Sequence, residues 1–229
     1  MVVDVIILSY AKDPSFEKMN LNCMKSIYES STEHKFQIYL IETNKEKEFV
    51  YEGCETCKVI QPQEEFNYNK YLNIGLEHST NDWVLISNND TIYHKGFLEE
   101  MLKAHEQDPE LFSMSPMDDD WHRHKLFKKT TPIYYGHRTS YEIAGWSIFV
   151  KRDILKRMNG FDEKFKFWYQ DNDYALTLQK YKLKHALITN SKVTHLLSKS
   201  HNLIEPGKKF QMTDGMINDF KNKWYTQKK

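Results

Sequence analysis

The stretch "WVLISNNDTIYHKGF", residues 83–97, decides how the chain folds. It opens with an apolar run of strand length that shows no alternation, the mark of a strand covered on both faces. The run then meets two amides and a carboxylate, Asn88, Asn89 and Asp90, where a tight hairpin would usually place a glycine. Helical spacing lies on both sides. Tyr68, Leu72 and Leu76 fall on one face before the strand, and "GFLEEMLKAHEQ" (96–107) follows it and stops before Pro109. A buried strand between two helices is the repeating unit of a parallel sheet.

The same rhythm extends outward. "VVDVIILSY" (2–10) is a second continuous apolar run, followed by Phe16, Met19, Cys23 and Ile27 at helical spacing. "FQIYLIE" (36–42) and "KVI" (58–60, after the Gly53 loop) read as strands, as does "LFSMS" (111–115). The second half is less regular. "PIYYGHR", "WSIFVKR", "HALIT" and "KVTHL" read as short strands, with helices near Asp153–Met158, over 170–181, and at the C-terminus through Met216, Ile217, Phe220 and Trp224. The pattern predicts an α/β, doubly wound, mainly parallel sheet flanked by helices. One domain covers 1–229, with a first half to about residue 115 and a smaller second half from about 116.

Composition narrows the function classes. Among 229 residues, 40% are hydrophobic and 14% aromatic, enough for a sizeable core and unlike a disordered chain. Acidic and basic residues balance at 32 each, so a nucleic-acid or membrane role would need a local patch. "HRHKLFKK" (122–129) and the tail "KNKWYTQKK" (221–229) are the two candidates, and solvated surface is the plainer reading of each. The apolar run 2–8 is too short for a membrane span and lacks the basic flank of a signal peptide, so a soluble, cytoplasmic protein is expected. Cys54 and Cys57 form a CxxC with no second pair or nearby histidine, which points to reduced loop cysteines rather than a zinc site. Lysine far outnumbers arginine, a bias of AT-rich genomes that fits a low-GC bacterium or a virus.

In open α/β sheets, ligands collect outside the carboxyl ends of the strands. Asn88–Asp90, Ser9–Tyr10 and Glu42–Thr43–Asn44 all sit at such ends and should line one crevice. A nucleoside diphosphate suits it, because the hard cation it brings needs few protein oxygens. Asp90 offers a charged oxygen and Asn88 a neutral one; an Asx turn would use the same residue types.

Taken in order, three blocks resemble the family 2 glycosyltransferases of the GT-A fold. "VIILSY" looks like their first strand and nucleotide loop, and "FNYNKYLNIGLEHSTNDWVLISNNDTIYHKGFLEEM" (66–101) is similar to the segment carrying their DxD-type metal motif. "EIAGWSIFVKRDILKRMNGFDEKFKFWYQDNDYALTL" (142–178) resembles their acceptor-side block, which ends in an acidic pair and a helix. Two departures stand out: Asn88 replaces the first DxD aspartate, and the acidic pair reads Gln170–Asp171.

The resemblance implies an inverting transfer of a sugar from a nucleotide-sugar donor to an acceptor hydroxyl, dependent on Mn2+ or Mg2+. It implies a donor side of Ser9, Tyr10, Glu42, Asn69, Asn73, Asn88 and Asn89. Asp90 and His195 would meet the metal, with His201 competing for the second place. Asp171 would be the catalytic base, with Asp173 as its rival, and Gly145, Trp146, Trp168 and Asp173 would face sugar or acceptor. The acceptor would be a glycan or, for a viral protein acting in its host's cytoplasm, a hydroxylated DNA base, with the lysine-rich stretches meeting phosphates. The run Asp118–Asp119–Asp120 reads as a solvated loop at the acceptor rim. Two other functions compete. A nucleotidyltransferase would show a glycine-rich phosphate loop, which "SYAKDPSF" lacks. A non-catalytic carbohydrate- or nucleotide-binding module would keep the fold without the base.

Overall fold

The computed structural model describes residues 1–52, 54, 56–125, 127–128, 130–196 and 206–226, with 206–214 as backbone alone. Nine strands form one sheet in the order β3-β2-β1-β4-β8-β6-β9-β5, with β7 alongside β9. They are β1 (Val2–Ser9), β2 (Lys35–Glu42), β3 (Cys57–Ile60), β4 (Trp83–Asn88), β5 (Thr91–Tyr93), β6 (Ser113–Asp118), β7 (Ile133–Tyr135), β8 (Ser147–Lys151) and β9 (Ala186–His195). The helices are α1 (Pro14–Ser30), α2 (Tyr68–His78), α3 (Phe97–Gln107), α4 (Arg152–Met158), α5 (Gln170–Lys180) and α6 (Pro206–Trp224).

β1 pairs in parallel with β2 and β4, β2 with β3, and β6 with β9. β8 enters antiparallel between β4 and β6, while β5 and β7 run antiparallel to β9. Val3, Val5, Ile6 and Ile7 of β1 are fully buried, as its unbroken apolar run requires. One apolar cluster, with Cys23, Met24, Ile27 and Met101, packs α1 and α3 on one face of the sheet. A second, with Tyr71, Leu72, Leu155 and Leu178, packs α2, α4 and α5 on the other.

Asp4 interrupts the first run because its buried carboxylate has four donors: the Thr80 and Asn81 amides, the Asn81 side chain and Arg152 Nη2 at 2.9 Å. This pair ties β1, the turn before β4 and the start of α4 into one corner. Removing either partner would strand a buried charge, at a cost of about 3–5 kcal/mol.

Three expectations shift. The strand expected at 111–115 is β6, Ser113–Asp118, so Asp118 ends a buried strand. "HALIT" and "KVTHL" are one strand, β9, whose register against β6 slips between Pro116 and Met117. β5, directly after the Asn88–Asp90 turn, has no forerunner in the sequence reading because three residues carry no readable period.

Candidate active site

The β1, β2 and β4 ends meet through one line of buried hydrogen bonds. Asn89 Nδ2 donates to Asn20 Oδ1 at 2.7 Å, and Asn20 Nδ2 donates to Ser9 Oγ and Tyr51 Oη, each at 2.7 Å. Ser9 Oγ donates to Glu42 Oε2 at 2.6 Å, and Glu42 Oε1 accepts from the Ala11 and Asn44 amides at 3.0 and 2.8 Å. Glu42 is fully buried and these bonds occupy both its oxygens. It therefore braces the loop after β1 from beneath. Ser9 and Asn89 are buried in the same network. Tyr10, 51% exposed, faces outward from this loop, as does Lys12.

Asn69 Nδ2 donates to the Asp162 carbonyl at 2.8 Å. Asn73 Nδ2 donates to the Phe161 carbonyl at 2.9 Å, and its Oδ1 accepts from the Phe161 amide at 2.9 Å. Asn67 caps α2 and reaches the Glu163 carbonyl. These asparagines clasp the 160–163 loop. Gly160, at φ +74°, makes the clasp possible, since a Cβ there would stand 2.7 Å from Asn73 Oδ1.

Asp90 and His195 come together because Thr91 pairs with His195 across β5 and β9. His195 Nε2 lies 3.2 Å from Asp90 Oδ1, with both side chains almost wholly buried. Neither ring nitrogen of His195 forms an aligned hydrogen bond, although both are buried. The His195 amide is fixed by Asp118 Oδ2 at 2.5 Å, and its ring stacks on Trp146 at 5.1 Å and 14°. Trp146 is buried and braces His195. Asp118 is likewise no solvated loop residue: it is buried, and it accepts from the Asp120, Trp121 and His195 amides. Asp119 and Asp120 do lie at the surface side of that turn, paired with Lys192 and Arg123.

A buried imidazole 3.2 Å from a buried carboxylate is a donor set that fits a divalent cation. Among the described residues no three His, Cys, Asp or Glu side chains converge, so other ligands would have to come from the substrate. His201 lies outside the described residues. Cys54 and Cys57 are free thiols, and burial pushes Cys57 up to about 12, which keeps it protonated and inert.

Asp171 stands in the first turn of α5, which Tyr169 starts from the left-handed region at φ 64°. Its Oδ1 accepts from the Asn172 amide at 2.9 Å, and burial raises its pKa. Gly145 lies against it: a Cβ there would come within 3.1 Å of the Asp171 Cβ. Asp173 points elsewhere and accepts from Lys223 Nζ at 2.9 Å and Trp224 Nε1 at 2.8 Å. It anchors α6 through these two bonds. Trp168 is half-buried, edge-on to Phe167, with its amide on Met216 Sδ.

Tyr68 is the site residue that sequence reading missed, having been counted on the apolar face of α2. Its hydroxyl donates to Asn88 Oδ1 at 3.3 Å. Burial, then the charges of Asp171 and Asp90, push its pKa upward. The phenol thus feels the charge of both carboxylates.

The family model described as "Glycosyl transferase family 2" matches residues 4–165. No curated protein matches the sequence. Among solved structures, the mannosyltransferase PcManGT from Pyrobaculum calidifontis, in complex with GDP-Man and Mn2+, is 18% identical with a TM-score of 0.60, over 86% of this chain and 57% of that one. GalNAc-T7 with UDP, GalNAc and Mn2+ is 14% identical with a TM-score of 0.67, over 85% of this chain and 43% of that one. The chain thus spans about half the length of these structures, and they share its GT-A glycosyltransferase fold. With more than half of its length matched by the family model, the chain belongs to glycosyl transferase family 2.

Proposed function

We propose that the protein transfers a sugar from a nucleotide-sugar donor to an acceptor hydroxyl with inversion at the anomeric carbon. The observation that carries this reading is the Asp90–His195 pair, two almost wholly buried side chains 3.2 Å apart just after β4, with the Tyr68 hydroxyl 3.3 Å from the neighbouring Asn88. Donor and base chemistry then have separate carboxylates, Asp90 and Asp171.

Asp171 takes the proton of the acceptor hydroxyl as its oxygen attacks the anomeric carbon. The bond from that carbon to the diphosphate breaks, and the nucleoside diphosphate departs. A positioned base of this kind contributes ~10²–10⁴-fold in rate. Tyr10 offers an exposed ring to the nucleotide, and Asn88, held by Tyr68, offers a neutral oxygen to the diphosphate side. Gly145 and the half-buried Trp168 border the acceptor. Asp90 and His195 would hold a divalent cation, which when bound stabilises the charge on the leaving diphosphate. An imidazole ligand favours Mn2+ over Mg2+.

The test is hydrolysis or transfer from a panel of nucleotide sugars with Mn2+, comparing the wild type with Asp171→Asn. Turnover should fall at least ~10²-fold in the variant while its affinity for the nucleoside diphosphate with Mn2+ stays unchanged. An active Asp171→Asn enzyme would remove the base from this carboxylate.

A further inference from the structure

After β6 the chain turns at Asp118 and crosses residues 119–132 before β7. This crossing, with the turn after β7, encloses a pocket of about 350 Å³ lined by His124, Lys125, Phe127, Tyr134, Arg138 and Tyr141. Each of these side chains is basic or aromatic, and none is acidic. Lys125 Nζ stands 4.5 Å from the Trp121 ring centre and 5.1 Å from that of Tyr141, and the Arg138 guanidinium stacks 4.7 Å over Tyr141. Lys125 also donates to the Ser140 carbonyl. Arg138 is balanced by Glu142, whose side chain is buried. Among the described residues no carboxylate pairs with Lys125 or His124, so the pocket keeps a positive excess. Burial lowers the Lys125 pKa, as expected of an ammonium held among rings and carbonyls and lacking a counter-charge.

The pocket is one aromatic layer from the site. Trp121 meets His195 edge-on at 6.4 Å between ring centres. His122 lies 5.7 Å from Phe127 on one side and 6.4 Å from Trp146 on the other. A group bound here would therefore be carried by a molecule whose other end reaches the Asp90–His195 crevice.

We infer that this pocket is an acceptor subsite for an anionic sugar residue, whose ring lies on Phe127, Tyr134 or Tyr141 and whose carboxylate or phosphate meets Lys125 and Arg138. The inference rests on the transfer reading above. The volume is that of a small-ligand pocket rather than a groove tracking a nucleic-acid backbone. A formal net charge of +0 also lacks the electrostatic footprint of a nucleic-acid protein. The basic stretch at 122–129 thereby gains a role that does not require DNA.

Saturation-transfer NMR with glucuronic acid, glucose 6-phosphate, neutral glucose and a single-stranded oligonucleotide tests this on the whole chain. Both anionic sugars should bind at least ~10-fold more tightly than glucose, about the 1.4 kcal/mol that defines a tenfold step. The tighter of the two identifies uronate or phosphate as the source of the anion. Lys125→Gln should abolish the preference, Lys125→Arg should keep it, and His124→Asp at the exposed rim should weaken it even if Lys125→Gln fails to fold. In the same samples UDP or GDP with Mn2+ should bind every folded variant as it binds the wild type. Loss of nucleotide binding in the wild type, with anion binding intact, would sink the transfer reading and leave the pocket standing. Equal binding of glucose and the anionic sugars, an unchanged preference in His124→Asp, or preference for the oligonucleotide would overturn the subsite.

Discussion

At the scale of single residues, the acidic pair after the aromatic run sorts itself by partners. Asp173 is held by Lys223 and Trp224, whereas Asp171 accepts only local backbone bonds and lies open to Gly145. Burial raises the Asp171 pKa above its ordinary 3.8, because the ionised form loses hydration, and the Asn172 amide offsets only part of that. A base works ionised, so turnover should climb with pH through this raised value and level off above it. The acid limb of kcat should lie above that of a free aspartate. A limb at or below 3.8 would place the kinetically important carboxylate elsewhere. The order of blocks singles out Asp171 in the sequence as a candidate base, whereas the hydrogen bonds of Glu42, Asn69 and Asn73 carry no signal there. What each would bond depended on backbone amides arriving from other loops, such as Ala11 for Glu42 and Phe161 for Asn73. Tyr68 was hidden for the opposite reason: its ring obeys helical spacing, and only its hydroxyl belongs to the site.

At the scale of elements, strands with long apolar runs and helices with clear faces were legible through α3. β5 was not, because three residues carry no readable period; β7, β8 and β9 were legible as strands, but not that β8 enters against the parallel order or that β9 unites two expected strands. One element does more than its pattern revealed. The apolar face of α1 carries a buried Asn20, whose amide joins Ser9 at the end of β1 to Asn89 at the end of β4. A leucine of similar size there would leave Ser9, Asn89 and Tyr51 short of a buried partner, at about 1–3 kcal/mol for each unsatisfied group. Asn20→Leu should therefore lower stability in urea by at least ~1 kcal/mol. It should also weaken nucleoside diphosphate binding with Mn2+, since both strand-end loops lose their common anchor. Wild-type affinity in a destabilised but folded Asn20→Leu protein would limit the residue to a structural role.

At the scale of the whole molecule, the sheet is sealed where its two halves meet by a polar cluster in the interior. His185, fully buried, donates from Nε2 to the Glu142 carbonyl at 3.0 Å, which fixes its tautomer, and Nδ1 accepts from Ser113 Oγ at 2.7 Å. Ser113 Oγ in turn accepts from Tyr174 Oη on α5 at 2.7 Å, so β6, β9 and α5 share one network. Burial pushes the His185 pKa down from 6.5 to about 3. Between those values the unfolded chain binds a proton that the folded protein refuses. The stability this neutral histidine contributes is therefore complete above 6.5 and is lost as pH falls toward 3. One pH unit in that window corresponds to about 1.4 kcal/mol, so acidification from pH 7 to 5 should remove about 2 kcal/mol through this residue alone. His185→Gln keeps an amide that can donate and accept but cannot titrate. Urea unfolding of both proteins at the two pH values isolates the difference, since the other ionisable groups are common to both. The variant should begin less stable at pH 7 and lose about 2 kcal/mol less than the wild type on acidification. Equal losses in the two proteins would mean that His185 is protonated in the fold, and that the network around Ser113 rearranges to receive the charge.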